Sequence, residues 1–366
     1  MRIALLHPFS WPTVRRGGER YLHDLGRWLS ERGHDVDIVT GAVDAAPAEH
    51  DLGGPRLVRL PLWAPARLAP YGVTALDTFG ATASRHLARE RYDVVHALVP
   101  SGGLAAVAAL QPSVYTVLGH PSPANPPARA WSRALLTRAV KAVRVPAALS
   151  RSAADGVEGL TGRRPLVLPP GVRTVDFAAK PAAPAGPPRL LFNGFAGDPR
   201  KRLDVLLRAL PAVLEVLPDA RLALGGGGDA GPALDRLDAG VRRAVVAVLD
   251  DLGPGALGDV PTRYRQATVS VLPSVEEAFG LVLVESLACG TPVVCSRSGG
   301  MPEIVTDAVG CTAPPDDPAR LAAAIVGAVA LAADPATPAR CAEHARQWDW
   351  DQVGPLHELA YARARA

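Results

Sequence analysis

The chain contains only four cysteines among its 366 residues. Cys289, Cys295, Cys311 and Cys341 form no Cys-x-x-Cys pair, and they lie in apolar or loop contexts. Disulfide frameworks and zinc sites both rely on cysteines at paired spacings. The sequence therefore predicts reduced cysteines with neither a disulfide frame nor a zinc site.

Long hydrophobic runs are also lacking. The longest uncharged apolar segment, residues 321–333, falls well short of the roughly 20 residues that span a bilayer. Near the amino terminus, a short apolar stretch after Met1-Arg2 ends at His7, which is too soon for the core of a signal peptide. We expect a cytoplasmic protein without a membrane-spanning helix.

Strong charge of one sign is the third feature that the chain lacks. The net charge is +3, and charged residues make up 20% of the sequence, which does not favour a nucleic-acid partner. A hydrophobic content of 48% argues against disorder and supplies enough apolar surface for packed cores. The length exceeds what one core usually serves, so two domains are expected.

Apolar strands alternate with helices along both halves of the chain. This alternation is typical of an α/β fold with parallel, doubly wound sheets. In the second half it predicts helices over residues 203–217 and 230–243. A proline- and alanine-rich stretch at 180–189 lacks internal charge and periodicity, which indicates a linker. We predict two Rossmann-like domains, 1–178 and 189–346, that face a central cleft at the carboxyl ends of their sheets.

The segment from Pro273 to Val305 is the most informative in the chain. It places Glu277 and Glu285 eight positions apart, with Phe279-Gly280 between them. A short apolar helix is predicted after Gly280, and Glu285 lies inside it. A strand that leads through a tight loop into a helix offers backbone N–H groups to an anion. A carboxylate inside that helix can accept hydrogen bonds from the hydroxyls of a ribose. Together these features predict a nucleotide ligand.

This segment resembles the Glu-x7-Glu signature of the retaining glycosyltransferases of family 4, which have the GT-B fold. Further matches follow in the family's order along nearly the whole chain: Gly17-Gly18-Glu19, TVLGHP around His120, PPGV at 169–172, LLFNGF at 190–195 with Lys201, and LALGGGGD at 222–229. The resemblance also implies that the tail, residues 347–366, packs back on the amino-terminal domain.

The resemblance assigns roles to particular residues. It implies that Glu277 lies near the transferred sugar, that Glu285 binds the ribose, and that Lys201 binds the phosphates. His120 matches a position that contacts the donor sugar. The remaining donor-binding residues that it implies are Gly17, Gly18 and the backbone N–H groups of Phe279, Gly280 and Leu281.

One departure from the family pattern concerns a second positive charge. The family usually has an arginine after the glycine of the LLFNGF strand, where this chain has Phe195. Arg200 and Arg202, on either side of Lys201, are both candidates to replace it, and the sequence does not choose between them.

The resemblance implies the transfer of a hexose or related sugar from a nucleotide-sugar donor to a hydroxyl acceptor, with no cofactor and no metal. Positive charge and N–H donors stabilise the departing diphosphate. A nominal Asp35-Val36-Asp37 motif stands at the amino end of its strand, and we interpret it as surface charge. A nucleotide-sugar epimerase and a non-catalytic nucleotide-sugar-binding subunit remain alternatives.

Three features of the sequence each allow both a functional and a purely structural interpretation. The basic, amphipathic segment 128–144 either packs its apolar stripe on the sheet or makes a peripheral contact with the inner face of the membrane, in which case the acceptor is a lipid rather than a soluble sugar or metabolite. His96, at the end of an apolar strand, either lines the cleft or is structural. The glycine run 225–228 serves either close packing or ligand binding.

Overall fold

The computed structural model describes residues 1–42, 54–62, 74–121, 130–179, 184–253, 255 and 257–366. Within these ranges the strands are β1 (Arg2–Leu6), β2 (Asp35–Ala42), β3 (Arg56–Pro61), β4 (Val94–Ala97), β5 (Ser113–Val117), β6 (Val145–Ala148), β7 (Leu166–Val167), β8 (Arg189–Asn193), β9 (Arg221–Gly225), β10 (Leu249–Asp251), β11 (Val269–Leu272), β12 (Val293–Ser296) and β13 (Gly310–Ala313).

The helices alternate with these strands. They are α1 (Gly17–Glu31), α2 (Ala75–Leu87), α3 (Pro100–Ala108), α4 (Ala130–Ala142), α5 (Arg151–Thr161), α6 (Leu203–Val216), α7 (Gly231–Leu234), α8 (Ala239–Ala247), α9 (Val260–Gln266), α10 (Leu281–Ala288), α11 (Pro318–Ala332), α12 (Thr337–Ala345) and α13 (Trp350–Arg365). The predicted helix over 230–243 is instead two helices, because Asp238 takes an extended conformation and starts α8 afresh.

The chain forms two compact units. One comprises Met1–Gly171 with Trp350–Ala366, and the other comprises Val172–Asp349. The division therefore falls several residues before the proline-rich stretch that the sequence suggested as a linker, of which residues 180–183 lie outside the described part of the chain. Residues just after Gly171 belong to the second unit because Val172 donates its N–H to the Trp348 carbonyl at 2.8 Å, and the Asp349 carboxylate accepts from the Thr174 N–H at 3.0 Å.

The first unit is built on a parallel sheet in the order β3-β2-β1-β4-β5-β6-β7. Its central strands are apolar over almost their whole length and are buried on both faces, as a parallel sheet covered by helices requires. The order changes direction between β1 and β4, and in such sheets ligands bind at the carboxyl ends of the strands beside this reversal.

The second unit repeats this arrangement with the order β10-β9-β8-β11-β12-β13, again all parallel. Its core is aliphatic and lies between the sheet and the buried faces of α6 and α11. The order reverses between β8 and β11, so the loops after these two strands start side by side. Both units are therefore parallel α/β domains of the Rossmann type, as the sequence predicts.

The carboxyl-terminal helix α13 belongs to the first unit and packs on α1 and the central strands. Trp350 stacks on Tyr21 with ring centroids 6.0 Å apart, and His357 Nε2 lies 2.8 Å from the Tyr21 hydroxyl. His96 is fully buried, with its ring nitrogens 2.9 Å from Tyr361 Oη and 2.7 Å from Thr116 Oγ1. Of its two open interpretations, the structure favours the structural one, because one ring nitrogen contacts the tail helix through Tyr361 and the other contacts the neighbouring strand β5 through Thr116.

The interpretation of the Asp35-Val36-Asp37 motif as surface charge is wrong for Asp37. Asp35 is exposed, but Asp37 is fully buried. Its carboxylate accepts two hydrogen bonds from Arg56, both at 2.7 Å, and one from the Tyr92 hydroxyl at 2.7 Å. Although burial opposes ionisation, these hydrogen bonds keep the pKa of Asp37 below its usual range. Arg2 Nη2 lies 3.5 Å from the same carboxylate. A buried carboxylate is tolerated here because four donor atoms surround it.

The basic amphipathic segment forms α4, while residues 128 and 129 lie outside the described ranges. Leu136, Ala139 and Val140 are buried, and the basic side chains Arg133, Arg138, Lys141 and Arg144 are exposed. The guanidinium of Arg163 donates to the carbonyls at the end of this helix, where a cation is favoured by the helix dipole. The apolar stripe thus packs inward, and the basic face is left to solvent.

Within the described residues, no single helix combines the length and hydropathy of a membrane span. The pair Pro318–Ala332 and Thr337–Trp348 passes such a test only when taken together, across a bend of 106°.

Two buried histidines, His357 on α13 and His96 on β4, predict a stability that is sensitive to acid. Burial lowers the pKa of His357 from 6.5 to about 4 and lowers the pKa of His96 well below 6.5. The unfolded chain therefore binds these protons more readily, so stability is complete above about pH 6.5 and falls as the pH drops toward 4. For His357 alone the loss approaches about 3 kcal/mol.

Thermal unfolding followed by circular dichroism between pH 7 and pH 4.5 measures this effect. The variant His357→Gln removes the titrating group, so its unfolding midpoint should vary less with pH than that of the native chain. Equal pH slopes for the two proteins would contradict the assignment.

Candidate functional site

Lys201 follows the central strand of the second unit. After β8 the chain forms a loop and a single 3-10 turn, Pro199–Lys201, whose first N–H group is capped by the side chain of Asp198. Arg202 then adopts a left-handed conformation (φ 52°) and starts α6. The turn fixes three consecutive basic side chains, Arg200, Lys201 and Arg202, just beyond the carboxyl end of the strand.

Glu277 follows β11, the neighbouring strand, and pairs with Lys201. Lys201 Nζ lies 2.8 Å from Glu277 Oε1, and the two side chains are 17% and 19% exposed. The backbone joins the same two loops, because Val275 donates its N–H to the Arg200 carbonyl at 2.8 Å. A cation and a carboxylate are thus held together in a partly buried position at the switch point of the sheet.

The backbone around Glu277 is held by a glycine turn. Gly300 donates its N–H to the Glu277 carbonyl at 2.8 Å, and the Ser298 hydroxyl accepts from the N–H of Glu276 at 3.0 Å. Gly299 has φ 60°, and a Cβ at this position would collide with the Glu277 carbonyl oxygen. Only glycine allows the backbone at position 299 to come this close to the Glu277 carbonyl. The turn after β12 therefore fixes the position of the Glu277 backbone.

Helix α10 begins directly after this loop. Gly280 (φ 116°) precedes it, and the Leu283 N–H already donates to the Gly280 carbonyl at 2.9 Å. The N–H groups of the first helical residues, Leu281 and Val282, point out of the amino-terminal end of the helix, which is the arrangement that binds anions. Phe279 is buried, and its ring meets the ring of Trp348 edge-on, with centroids 6.2 Å apart. This contact fixes the loop from which Leu281 starts the helix.

Glu285 lies inside α10 and is only 8% exposed. Its Oε2 accepts a hydrogen bond of 3.1 Å from the Tyr264 hydroxyl, which in turn accepts one of 2.8 Å from the Asn193 amide. Burial and the Glu285 charge raise the pKa of Tyr264 well above its usual value, so Tyr264 stays protonated and donates. The network orients the carboxylate at the end of β8.

The two arginines that flank Lys201 have acidic partners of their own. Arg200 makes a bidentate contact with Asp198, with distances of 3.2 Å from Nε and 2.7 Å from Nη2. Arg202 Nη2 lies 3.1 Å from Asp316, before α11. Phe195, at the position where an arginine was expected, is 56% exposed and brings no charge.

The glycine run 225–228 serves close packing. A Cβ on Gly226 would meet the backbone of Gly194, and one on Gly228 would meet the N–H groups of Ala196 and Gly197. Gly227 also accepts the Ala196 N–H at 2.9 Å. The run therefore lets β9 support the loop that leads to Lys201.

The remaining predicted residues belong to the first unit. Gly17 and Gly18 open α1, and a Cβ on Gly18 would meet Leu118 at 2.8 Å. His120 is half-buried, with Nε2 2.8 Å from the Ser152 hydroxyl at the start of α5. All three residues stand beyond the carboxyl ends of strands, β1 for the glycines and β5 for His120.

Sequence comparison matches both units to glycosyltransferase models. The model for glycosyltransferase family 4 matches residues 15–176, and that for glycosyl transferases group 1 matches residues 187–330. A phosphatidyl-myo-inositol mannosyltransferase from Mycobacterium tuberculosis is 31% identical over 344 residues, which cover 89% of this chain and 85% of the relative. This chain belongs to glycosyltransferase family 4.

Further comparisons agree with this assignment. This chain is also 32% identical over 333 residues to a D-inositol 3-phosphate glycosyltransferase from Nocardiopsis dassonvillei. The matched region covers 79% of this chain and 75% of that relative. Its fold matches that of a sucrose-phosphate synthase from Thermosynechococcus elongatus, with a TM-score of 0.77, 23% identity and 99% of both chains covered. The predicted family, the GT-B fold and the assignment as a glycosyltransferase are thereby confirmed.

In this glycosyltransferase, the structure brings Lys201, Glu277, Arg200 and the start of α10 together in the second unit. Gly17, Gly18 and His120 belong to the first unit. Sequence reasoning missed three supporting residues, Asp198, Tyr264 and Asn193. The Asp-Pro pair before Arg200 is a recognisable start of a helical turn, whereas nothing in the sequence links Tyr264 to Glu285 across 21 positions.

The described part of the chain contains no group of three or more His, Cys, Asp or Glu side chains placed to hold a metal ion. Metal-independent action stays a prediction.

Replacing Gly299 by alanine should displace the Glu277 loop. The added Cβ collides with a backbone carbonyl, and alanine also disfavours the positive φ of this position. We therefore expect the free energy of unfolding to fall by about 2–4 kcal/mol. Urea unfolding measures this loss. Gly253→Ala is a matched control in the same unit, because Gly253 has φ 59° and nothing near the added Cβ. Equal losses for the two variants would show that the carbonyl contact is unimportant.

Proposed function

We propose that this glycosyltransferase transfers a hexose or related sugar from a nucleoside-diphosphate sugar to a hydroxyl acceptor, with retention of configuration and without a metal. One observation carries the proposal. A lysine and a glutamate, Lys201 and Glu277, pair at 2.8 Å where the loops of β8 and β11 adjoin, beside the start of α10. A cation next to a helix N-terminus suits a diphosphate, and the glutamate suits the hydroxyls of its sugar.

In the proposed reaction, the bond between the anomeric carbon and the diphosphate oxygen breaks, and the acceptor oxygen forms a bond to the same carbon on the same face. The acceptor proton passes to the departing phosphate oxygen. Lys201 and the N–H groups of Leu281 and Val282, at the start of α10, stabilise the negative charge that develops on that oxygen. Glu277 positions both Lys201 and the sugar.

Glu285 is proposed to bind the ribose of the donor. A carboxylate accepts several hydrogen bonds, so the Tyr264 hydroxyl on Oε2 is compatible with further donors. In the first unit, Gly17 and Gly18 allow backbone approach, and His120, oriented by Ser152, is proposed to contact the donor sugar.

The acceptor is proposed to be an inositol compound. Two of the relatives are named for this chemistry, one as a phosphatidyl-myo-inositol mannosyltransferase and the other as a D-inositol 3-phosphate glycosyltransferase. The exposed basic side chains of α4 and of the residues just after it favour the lipid form, because Arg133, Arg138, Lys141 and Arg144 attract anionic headgroups. We therefore propose a cytoplasmic enzyme that associates peripherally with the inner face of the membrane.

Variants of Lys201 and Glu285 test the catalytic proposal. Lys201→Ala should reduce kcat by about 10²–10³-fold, because it removes charge from the leaving group. Glu285→Ala should weaken the binding of UDP, GDP or ADP, whichever the native chain binds, in calorimetry. Arg236→Gln, a charge change at an exposed position of the second unit, serves as the control.

The products distinguish the alternatives. Transfer to inositol acceptors with near-normal rates for Lys201→Ala would refute the role of Lys201. Isomerisation of the donor sugar without transfer would indicate an epimerase, and donor binding without turnover on any acceptor would indicate a non-catalytic subunit.

A sedimentation assay tests the membrane proposal. The double variant Arg133→Gln/Arg138→Gln should bind vesicles containing phosphatidylinositol about 30-fold more weakly, since each basic residue near the surface contributes about 1 kcal/mol. Arg236→Gln/Arg243→Gln changes the net charge equally in the other unit and should bind like the native chain. Failure of the native chain to sediment with these vesicles would favour a water-soluble inositol acceptor.

A further inference from the structure

Every cation of the 200–202 segment has a carboxylate partner in this structure. Arg200 contacts Asp198, Lys201 contacts Glu277, and Arg202 contacts Asp316. The segment is therefore close to neutral, although its sequence suggests a strongly positive site. An incoming diphosphate must compete with at least one of these carboxylates.

The contact between Arg200 and Asp198 is local and well formed. The guanidinium meets both carboxylate oxygens, at 3.2 and 2.7 Å, and the Arg200 N–H donates to Oδ1 at 3.0 Å. Although partial burial opposes ionisation, the hydrogen bonds from Arg200 keep the pKa of Asp198 below its usual range. Asp198 is thus a negatively charged group whose two oxygens bind the Arg200 guanidinium in the same bidentate manner as two oxygens of a phosphate would.

Arg200 and Arg202 differ in their surroundings. The carbonyl of Arg200 accepts the N–H of Val275, at the start of the Glu277 loop, and the charges of Glu277 and Glu276 act on its guanidinium. Arg202 turns instead toward Asp316, before α11. Arg200 is accordingly the arginine that stands beside the Lys201–Glu277 pair, where Phe195 provides no charge.

We propose that Arg200 supplies the second cation for the donor diphosphate and that Asp198 occupies this cation when no diphosphate is bound. This inference rests on the proposed function and adds to it a residue that opposes binding. The guanidinium exchanges one bidentate partner for another, so each nucleoside diphosphate is held less tightly than by an unpaired arginine. Because the carboxylate recaptures Arg200 as the diphosphate leaves, Asp198 favours the release of product.

Calorimetry with paired nucleotides tests this inference. UDP, GDP and ADP are titrated first, and the tightest binder is compared with its own monophosphate. Asp198→Asn keeps the cap on the turn, because asparagine caps as well as aspartate, but removes the competing charge. We expect it to bind the nucleoside diphosphate about three- to tenfold more tightly, while its affinity for the monophosphate changes little.

Three further variants separate the roles of the cations. Arg200→Gln should weaken diphosphate binding by about tenfold, and Arg200→Lys should restore part of it, since lysine keeps the charge without the fork. Asp316→Asn is the matched control, because it frees Arg202 and should leave the affinity for the diphosphate within about twofold of the native value. Unfolding midpoints for all variants exclude loss of folding as the cause.

The outcomes are distinguishable. If Asp198→Asn and Arg200→Gln both bind the diphosphate like the native chain while Lys201→Ala binds it more weakly, the inference is overturned and the proposed function stands. If the diphosphate and the monophosphate change in parallel in every variant, Arg200 acts only on the folding of the turn. If the native chain binds no nucleoside diphosphate, the proposed function fails and the inference fails with it.

Discussion

Parallel pairing of β8 with β11 is the constraint on which the candidate site depends. These strands are distant in the chain, yet Val269 and Ser270 lie in register with Leu190 and Leu191. The loops after them must therefore begin as neighbours, and that places the basic turn at 199–201 against the acidic loop at 277. Were the two strands separated in the sheet, the same sequence motifs would stand apart and could not share a ligand.

Close packing holds the loops beyond β8 and β11 at three points. Gly299 admits the Glu277 carbonyl, Gly228 admits the loop at 196–197, and Trp348 holds Phe279. None of these contacts involves a charge, but each limits how far a charged side chain can move. The positions of the charged side chains in the candidate site thus depend on glycines and one aromatic contact.

The first unit uses buried polar groups in a different way. Between α13 and the sheet, His96 hydrogen-bonds with Tyr361 and Thr116, and His357 hydrogen-bonds with Tyr21 and the Val353 carbonyl, in a region otherwise sealed by Trp350. Such a cluster is stable only while its histidines are neutral, because a buried charge there has no carboxylate partner in the hydrogen bonds described above. The packing of the tail helix α13 on the sheet is therefore linked to the protonation state of His96 and His357.

The amino-acid sequence by itself determined the α/β alternation, the two parallel sheets, the family and the identity of the principal charged residues. Periodicity, turn residues and motif order are local properties, so they can be read without coordinates. Prediction failed where the outcome depended on partners elsewhere in the chain. Asp37 became a buried ion pair because Arg56 and Tyr92 surround it, and the unit boundary moved because Val172 and Thr174 bond to residues 348 and 349.

Only the tertiary structure decided how the charges are paired. In sequence, Arg200, Lys201 and Arg202 look equivalent, and Asp198, Glu277 and Asp316 are separated from one another by tens of residues. Sheet order and turn conformation gave each cation a different carboxylate, and they gave Glu285 the Tyr264 hydroxyl. The physical reason is the short range of hydrogen bonds and ion pairs, whose partners are chosen by positions in space that a linear pattern does not contain.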